Sequence, residues 1–335
     1  MRTEVCITID TEFSIGGAFA DPAHRKPIGE ANVYCPVDGI EQGLPFLLET
    51  FRQYGAQATF FLETLSAAYF GDALLQRIAE TIVAAGHDVQ LHLHPCWMHF
   101  RHTDWAARLG EGAPSDSCAG RSLAEMVALI EAGMAAFARL GLAPPIALRT
   151  GNLQTDRTVY AAMSQLGLRL ASNLGMAIYR PRETSLQLLG GRHWIGDVLE
   201  LPVLSYVQPA LGVLKRDRLL TIAGTSEGEM KAMLRAAHAR GISPVVILTH
   251  PFEYVKGEEP GMPGSLRNRI NQRRLRALCR FLAENADAFT STSFAAAAPR
   301  WLAAQSTESI ELAAPLLPVL GRILENKAND LLPFL

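Results

Sequence analysis

An α/β fold with a parallel sheet closing into a barrel is what this sequence predicts, on three observations. Short apolar runs rich in β-branched residues recur along the 335 residues. Helical patterns lie between most of them, and polar residues follow several runs, at the strand ends where barrel enzymes build their sites. The runs span 5–9, 58–62, 89–94, 146–149, 168–172, 198–203, 245–249 and 288–293, each with the length and composition of a strand. The clearest helix runs over 123–140, where Ser122 and Glu125 form a capping box and Gly141 provides a stop. Seven or eight such units make a barrel, and a chain that is 49% hydrophobic and 19% charged has the apolar content for its core. Residues 1–304 are read as the barrel. Residues 305–335 carry an apolar pattern broken by Pro315, Pro318 and Pro333 and read as an amphipathic appendage. Packing against the barrel is expected ahead of a dimer contact or a membrane surface.

Composition narrows the partners. Thirty-one basic and 33 acidic residues leave a net charge of -2, so the overall balance calls for no nucleic acid or anionic surface as main partner. Cys6, Cys35, Cys96, Cys118 and Cys279 are odd in number, scattered and without CxxC spacing, against both a disulfide framework and a thiolate zinc site. A reducing compartment fits them. The opening MRTEVCITIDTEF lacks a basic region followed by a long apolar stretch, so a cytoplasmic location is the expectation. No window of about 18 uncharged apolar residues appears; a spanning helix is not expected, and peripheral membrane contact stays open. Oligomeric state leaves no signature.

Four strand-like runs end in chemistry-bearing residues: Asp10-Thr11-Glu12 after the first, His92-Leu93-His94-Pro95 after the third, Arg149-Thr150-Gly151-Asn152 after the fourth, and His250 after PVVILT. Residues two apart on a strand point the same way, so Asp10 with Glu12 and His92 with His94 are same-side pairs. Two imidazoles and a carboxylate are a common ligand set for a catalytic divalent metal, and the remaining carboxylate becomes a candidate base. A lone His-x-His is weak. Joined to Asp-x-Glu after another strand and a histidine after a third, it points to a metal site.

In chain order, five stretches resemble the motifs of the polysaccharide deacetylases with a NodB-homology domain, also called carbohydrate esterase family 4. ITIDTEFS resembles the first motif, GHDVQLHLHP the second, ALRTGN the third, VLELPV the fourth and VVILTHP the last; the likeness covers residues 5–293. It implies a distorted (β/α)7 TIM-like barrel and a metal-dependent hydrolase of carbon-nitrogen bonds other than peptide bonds, removing an N-acetyl group from an amino sugar or glycan precursor. Asp10 would be the base, Glu12, His92 and His94 the metal ligands, Arg149 the partner of Asp10 and His250 the acid, with metal-activated water attacking the amide. One divalent ion is implied, Zn²⁺ first, with Co²⁺, Ni²⁺, Mn²⁺ or Fe²⁺ also suited to such ligands. The chain departs from the family at three places, the first being Asp10-Thr11-Glu12 where many members have two adjacent aspartates. Many members space the metal histidines four apart, where this chain has Cys96, so His94 takes that place ahead of His99; the third motif lacks the Arg-Pro-Pro run, so the sugar-facing groove is expected to differ. A cytoplasmic member implies a glycan precursor, a lipid-linked sugar or an N-acetylated metabolite as substrate.

Other readings stand beside this one. A carbon-nitrogen hydrolase acting on a small cyclic amide or ureide would suit the same chemistry and a compact pocket. A TIM-barrel amidohydrolase also uses His-x-His, but after its first strand. A non-catalytic carbohydrate-binding relic would need neither Asp10 nor His250. His87 reads as a turn histidine bonded to backbone, and His24, His99, His102, His193 and His238 show no convergent partners. Glu200 is read as facing solvent in preference to the groove, and Asp197 flanks the same strand. Arg267, Arg269, Arg273, Arg274, Arg276 and Arg280 read as a solvated helix face, and Gly16-Gly17 as a loop beside the first motif.

Overall fold

The computed structural model describes residues 2–112, 114–209, 216–257 and 259–331; the last residues of the appendage, Pro333 among them, lie outside the described residues. Its main sheet contains β1 (Thr3–Thr11), β2 (Ala58–Glu63), β3 (Asp88–Leu93), β4 (Ala147–Thr150), β5 (Leu170–Ala171), β6 (His193–Ile195), β7 (Val198–Glu200), β8 (Val245–Thr249) and β9 (Phe289–Ser291). The order is β8-β1-β2-β3-β4-β5-β7-β6, with β9 paired to the start of β1. Every ladder is parallel except that between β6 and β7. Seven parallel strands thus form the barrel wall. β1 and β2 are buried almost throughout, which is why they read as continuous apolar runs and not as alternating ones.

The helices α1 (Leu44–Tyr54), α2 (Asp72–Ala84), α3 (Leu123–Arg139), α4 (Arg157–Gln165), α5 (Glu227–Ala239) and α6 (Arg269–Glu284) follow β1, β2, β3, β4, β7 and β8. α7 (Phe294–Leu302) follows β9. The capping box of α3 forms as expected, with Ser122 N donating to Glu125 Oε2 at 2.8 Å. The barrel is distorted where β8 meets the chain beyond β7. There, among the described residues, single bridges, Val203 to Val246 and Thr221 to Leu248, join the two.

The appendage packs on the barrel. Leu312–Ala313 joins Ser205–Gln208 as a strand, and α8 (Leu316–Leu331) lies against α5. Val319 is fully buried, and Arg322, 6% exposed, donates from Nε to Glu229 Oε2 at 2.9 Å. No helix among the described residues is long and apolar enough to cross a membrane.

Three expectations are corrected. Arg274 is 1% exposed, because it lies four residues from Ile270 and Leu278 on the inward face of α6; it pairs with Glu325 at 2.9 Å and donates to Ala223 O at 2.8 Å. The other arginines of α6 are exposed. Glu200 does not face solvent: it is fully buried and accepts from Tyr160 Oη and from Asn173 N and Leu174 N. Burial pushes its carboxyl up to about 7. The His87 ring packs on Phe51 and Phe60, and its buried Nδ1 has no hydrogen-bond partner among the described residues.

The Arg322–Glu229 ion pair under α8 is a buried polar tie between appendage and barrel. Arg322→Ala leaves Glu229 buried without its cation and is expected to cost about 3 kcal/mol, read as a lowered urea midpoint with m unchanged.

Candidate active site

The C-terminal ends of β1, β3, β4 and β8 converge on one end of the barrel, because parallel strands in register deliver their last residues to the same side. His92 stands opposite Glu63 on one side and Arg149 on the other. Asp10 stands opposite Phe61, and Ile9 opposite Thr249.

Glu12, His92 and His94 come together as the sequence suggests. Glu12 Oε2 lies 3.2 Å from His92 Nε2 and 2.8 Å from His94 Nε2, and one ligand atom from each residue falls within 4.8 Å of the other two. Each ring is held from behind: His92 Nδ1 lies 2.9 Å from Arg149 O and His94 Nδ1 2.6 Å from Asp116 Oδ2. An acceptor at Nδ1 places the proton there and turns Nε2 toward the shared centre, the usual orientation of metal-bound imidazoles. Burial alone would lower His94, but Glu12 and Asp116 on its two nitrogens hold it well above the usual imidazole range. Burial alone would raise Glu12, but His94 and His92 hold it well below the usual carboxylate range. The charge that favours a proton among these groups also favours a cation, and the donor set fits a divalent metal such as zinc.

Arg149 binds the second carboxylate. It is fully buried and donates from Nη1 to Asp10 Oδ1 at 2.7 Å and to Thr8 Oγ1 at 2.8 Å. Its Nη2 donates to Ser172 Oγ at 2.7 Å, and the guanidinium lies 4.2 Å from the centre of the Phe61 ring. With Oδ1 occupied, Asp10 Oδ2 faces the centre, 3.9 Å from both His92 Nε2 and His250 Nε2.

His250 caps the turn after β8. Its ring stacks on Phe252, and its Nδ1 lies 3.0 Å from Glu253 Oε1. The other oxygen of Glu253 accepts from Thr249 Oγ1 at 2.6 Å. Burial would lower the imidazole, yet Glu253, with help from Glu12 and Asp10, raises it to about 9.

Four supporting residues have no role in the sequence reading. Asp116 sits on a loop 22 residues beyond His94, a distance that no local pattern reports. Glu63 ends β2 and accepts from Leu65 N and Ser66 N, both at 2.8 Å. Gly151 leaves the room that the His94 ring fills: a Cβ there would lie 2.5 Å from it. Glu253, three residues after His250, had a readable spacing for a turn carboxylate. His99 stays apart from the cluster, its Nε2 against Trp105 O at 2.8 Å, and burial pushes the Cys96 thiol upward. A cavity of about 350 Å³ opens beside Glu12 and His94, walled by Phe13, Ile15, Trp97 and Phe252 with Asn32, Asp116 and Asn152.

No protein-family model matches the sequence, and no curated protein does. Among solved structures, a Mycobacterium smegmatis protein assigned as a polysaccharide deacetylase is similar at a TM-score of 0.53 and 16% identity, over 91% of this chain and 94% of that one. A family 4 carbohydrate esterase from Streptomyces lividans, solved with acetate, gives 0.43 and 15% over 92% of this chain and 98% of that one. A family 4 pseudoenzyme from Bacillus anthracis gives 0.43 and 11% over 93% and 69%. The first of these likenesses shows the fold: the chain has the distorted barrel of the polysaccharide deacetylases.

The support of His94 is open to direct test. Asp116→Asn is expected to weaken zinc binding roughly tenfold to a hundredfold in a competition titration with a chromophoric chelator. Gly151→Ala, which pushes the ring aside, is expected to weaken it at least as much; zinc affinity unchanged in both would remove His94 from the ligand set.

Proposed function

We propose that this chain is a metal-dependent deacetylase that removes the N-acetyl group from an amino sugar or glycan precursor, with Glu12, His92 and His94 as ligands. The observation that carries the reading is the position of Asp10, whose free oxygen sits between His92 of the ligand set and His250, 3.9 Å from each. Such a juxtaposition of base, metal donors and acid is what amide hydrolysis needs and what a binding protein does not. The chemistry that a divalent ion supplies in this set is polarisation of the acyl oxygen and a lowered pKa for water.

The chain's own residues supply the proton transfers. Asp10 Oδ2 takes the proton of the attacking water, while Arg149 fixes Oδ1 and so fixes the direction in which Oδ2 points. His250 Nε2 gives a proton to the departing amine, and Glu253 on Nδ1 keeps the ring oriented and protonated at neutral pH. Phe252 and Trp97 give the cavity apolar walls, which suit an acetyl methyl and the face of a sugar ring. The five cysteines are buried and unpaired, in keeping with a cytoplasmic setting and a precursor in place of a wall polymer.

The cavity lies near the small end of ligand pockets. That size supports recognition of a single N-acetylated unit, and it also favours the second reading, a small cyclic amide or ureide. An acetate-release assay on N-acetylated monosaccharides and short oligosaccharides separates the two, since ring opening of a cyclic amide yields no acetate.

Two variants test the assigned roles. Asp10→Asn is expected to keep its zinc and lose turnover by at least a hundredfold; retained turnover would remove Asp10 as base. A histidine raised to about 9 is protonated below that value, so an acid role keeps kcat up to that region and loses it as pH rises further. Glu253→Gln removes the main stabiliser of the imidazolium while burial persists, so the alkaline limb is expected to move to lower pH. A limb that stays in place would exclude the His250–Glu253 pair as its source.

A further inference from the structure

On the outside of the barrel, α5, α6 and α8 form a surface that gathers arginines on a protein of net charge -2. α6 exposes Arg269, Arg273, Arg276 and Arg280, a stripe at helical spacing with no exposed acid between its ends. α5 adds Arg235, over the Phe281 ring. Among the described residues, the acids paired with the stripe are Glu325, already shared by Arg273 and Arg274, and Glu227, 2.6 Å from Lys231 and 4.0 Å from Arg280, while the exposed Glu284 lies one turn beyond Arg280. The cationic charge on this side therefore exceeds its local compensation.

Beside the arginines, α8 turns leucines outward. Leu317 is 80% exposed, Leu324 68% and Leu331 77%, with Leu316 and Leu320 partly exposed on the same side. The helix is not loose: its other face is fixed by Val319 and by the Arg322–Glu229 pair. Monomeric proteins seldom leave such a stripe uncovered.

We infer that this surface docks on an anionic lipid bilayer, the leucine face of α8 entering the boundary between headgroups and acyl chains and the arginines of α6 meeting lipid phosphates. A lipid surface supplies both complements at once, anionic charge and apolar depth, which is the pattern of interfacial helices. A second copy of the chain would cover the leucines but set arginine stripe near arginine stripe, and a stripe one leucine wide falls short of the roughly 800 Å² per partner that a stable dimer buries. The inference does not rest on the catalytic reading. It does agree with one class of substrate for it, a lipid-linked sugar, since Lys256, six residues beyond His250, donates to Asn329 O in the last turns of α8 at 2.8 Å.

Cosedimentation of the full chain with vesicles tests this. Vesicles of phosphatidylcholine with about one third phosphatidylglycerol are expected to bind the protein, and phosphatidylcholine alone to bind it at least about tenfold less, with binding falling as salt screens the charges. The double variant Leu317→Glu with Leu324→Glu, and separately Arg269→Gln with Arg276→Gln, are each expected to lower binding to the mixed vesicles about tenfold or more. All four positions are exposed, and an unchanged thermal melt confirms that the variants fold. No binding to the mixed vesicles, or binding indifferent to the leucine variant, overturns the inference. So does a wild-type dimer in sedimentation velocity that the leucine variant splits, which would assign the surface to a second copy.

Discussion

Arg149 carries a full charge with no exposed surface, and the end of the barrel is arranged around it. A guanidinium removed from water is tolerated only when its donors are satisfied. Here Asp10, Thr8, the Ser172 hydroxyl and the Ser172 carbonyl take them, and the Phe61 ring covers its face. The same residue works through its main chain: its carbonyl accepts from His92 Nδ1 and so aims Nε2 at the centre. One strand end thus orients both a carboxylate and a buried imidazole. Two residues further on, Gly151 makes the space that the second histidine fills.

Behind that hub a layer of polar groups fixes the backbone. Glu200 binds the amides of Asn173 and Leu174, Asn173 Oδ1 accepts from Thr150 N at 2.9 Å, and Ser172 links Arg149 to Leu201 O. Because β5 is only two residues long and only the short 3-10 turn Thr184–Leu186 lies between it and β6, these side-chain bonds extend the short ladders that hold it. The shortness of β5 and the burial of Glu200 are two views of one arrangement. A regular strand would leave no free amides for a carboxylate to bind.

What the sequence disclosed was set by range. The eight apolar runs all became strands, since a strand buried on both faces announces itself by composition alone. The Asp10/Glu12 and His92/His94 pairs were legible because two-residue periodicity is local. Asp116 was not, as its loop reaches His94 only through tertiary folding. Glu200 was misjudged for a related reason: a glutamate in a short strand reads as exposed unless the amides that bind it are known. The arginines of α6 divided as helical spacing dictates, Arg274 inward and its neighbours outward, and the inward one needed Glu325 from the appendage to become tolerable.

The appendage joins these themes, since one face of α8 satisfies buried charge on the barrel and the other leaves leucines in water. The central claim remains the ligand set at the strand ends. Metal content of the purified protein, measured by inductively coupled plasma mass spectrometry beside the His92→Ala variant, tests it most directly. The account requires about one zinc or similar divalent ion per chain, lost in the variant; a wild type that binds no metal even after zinc is supplied would contradict it.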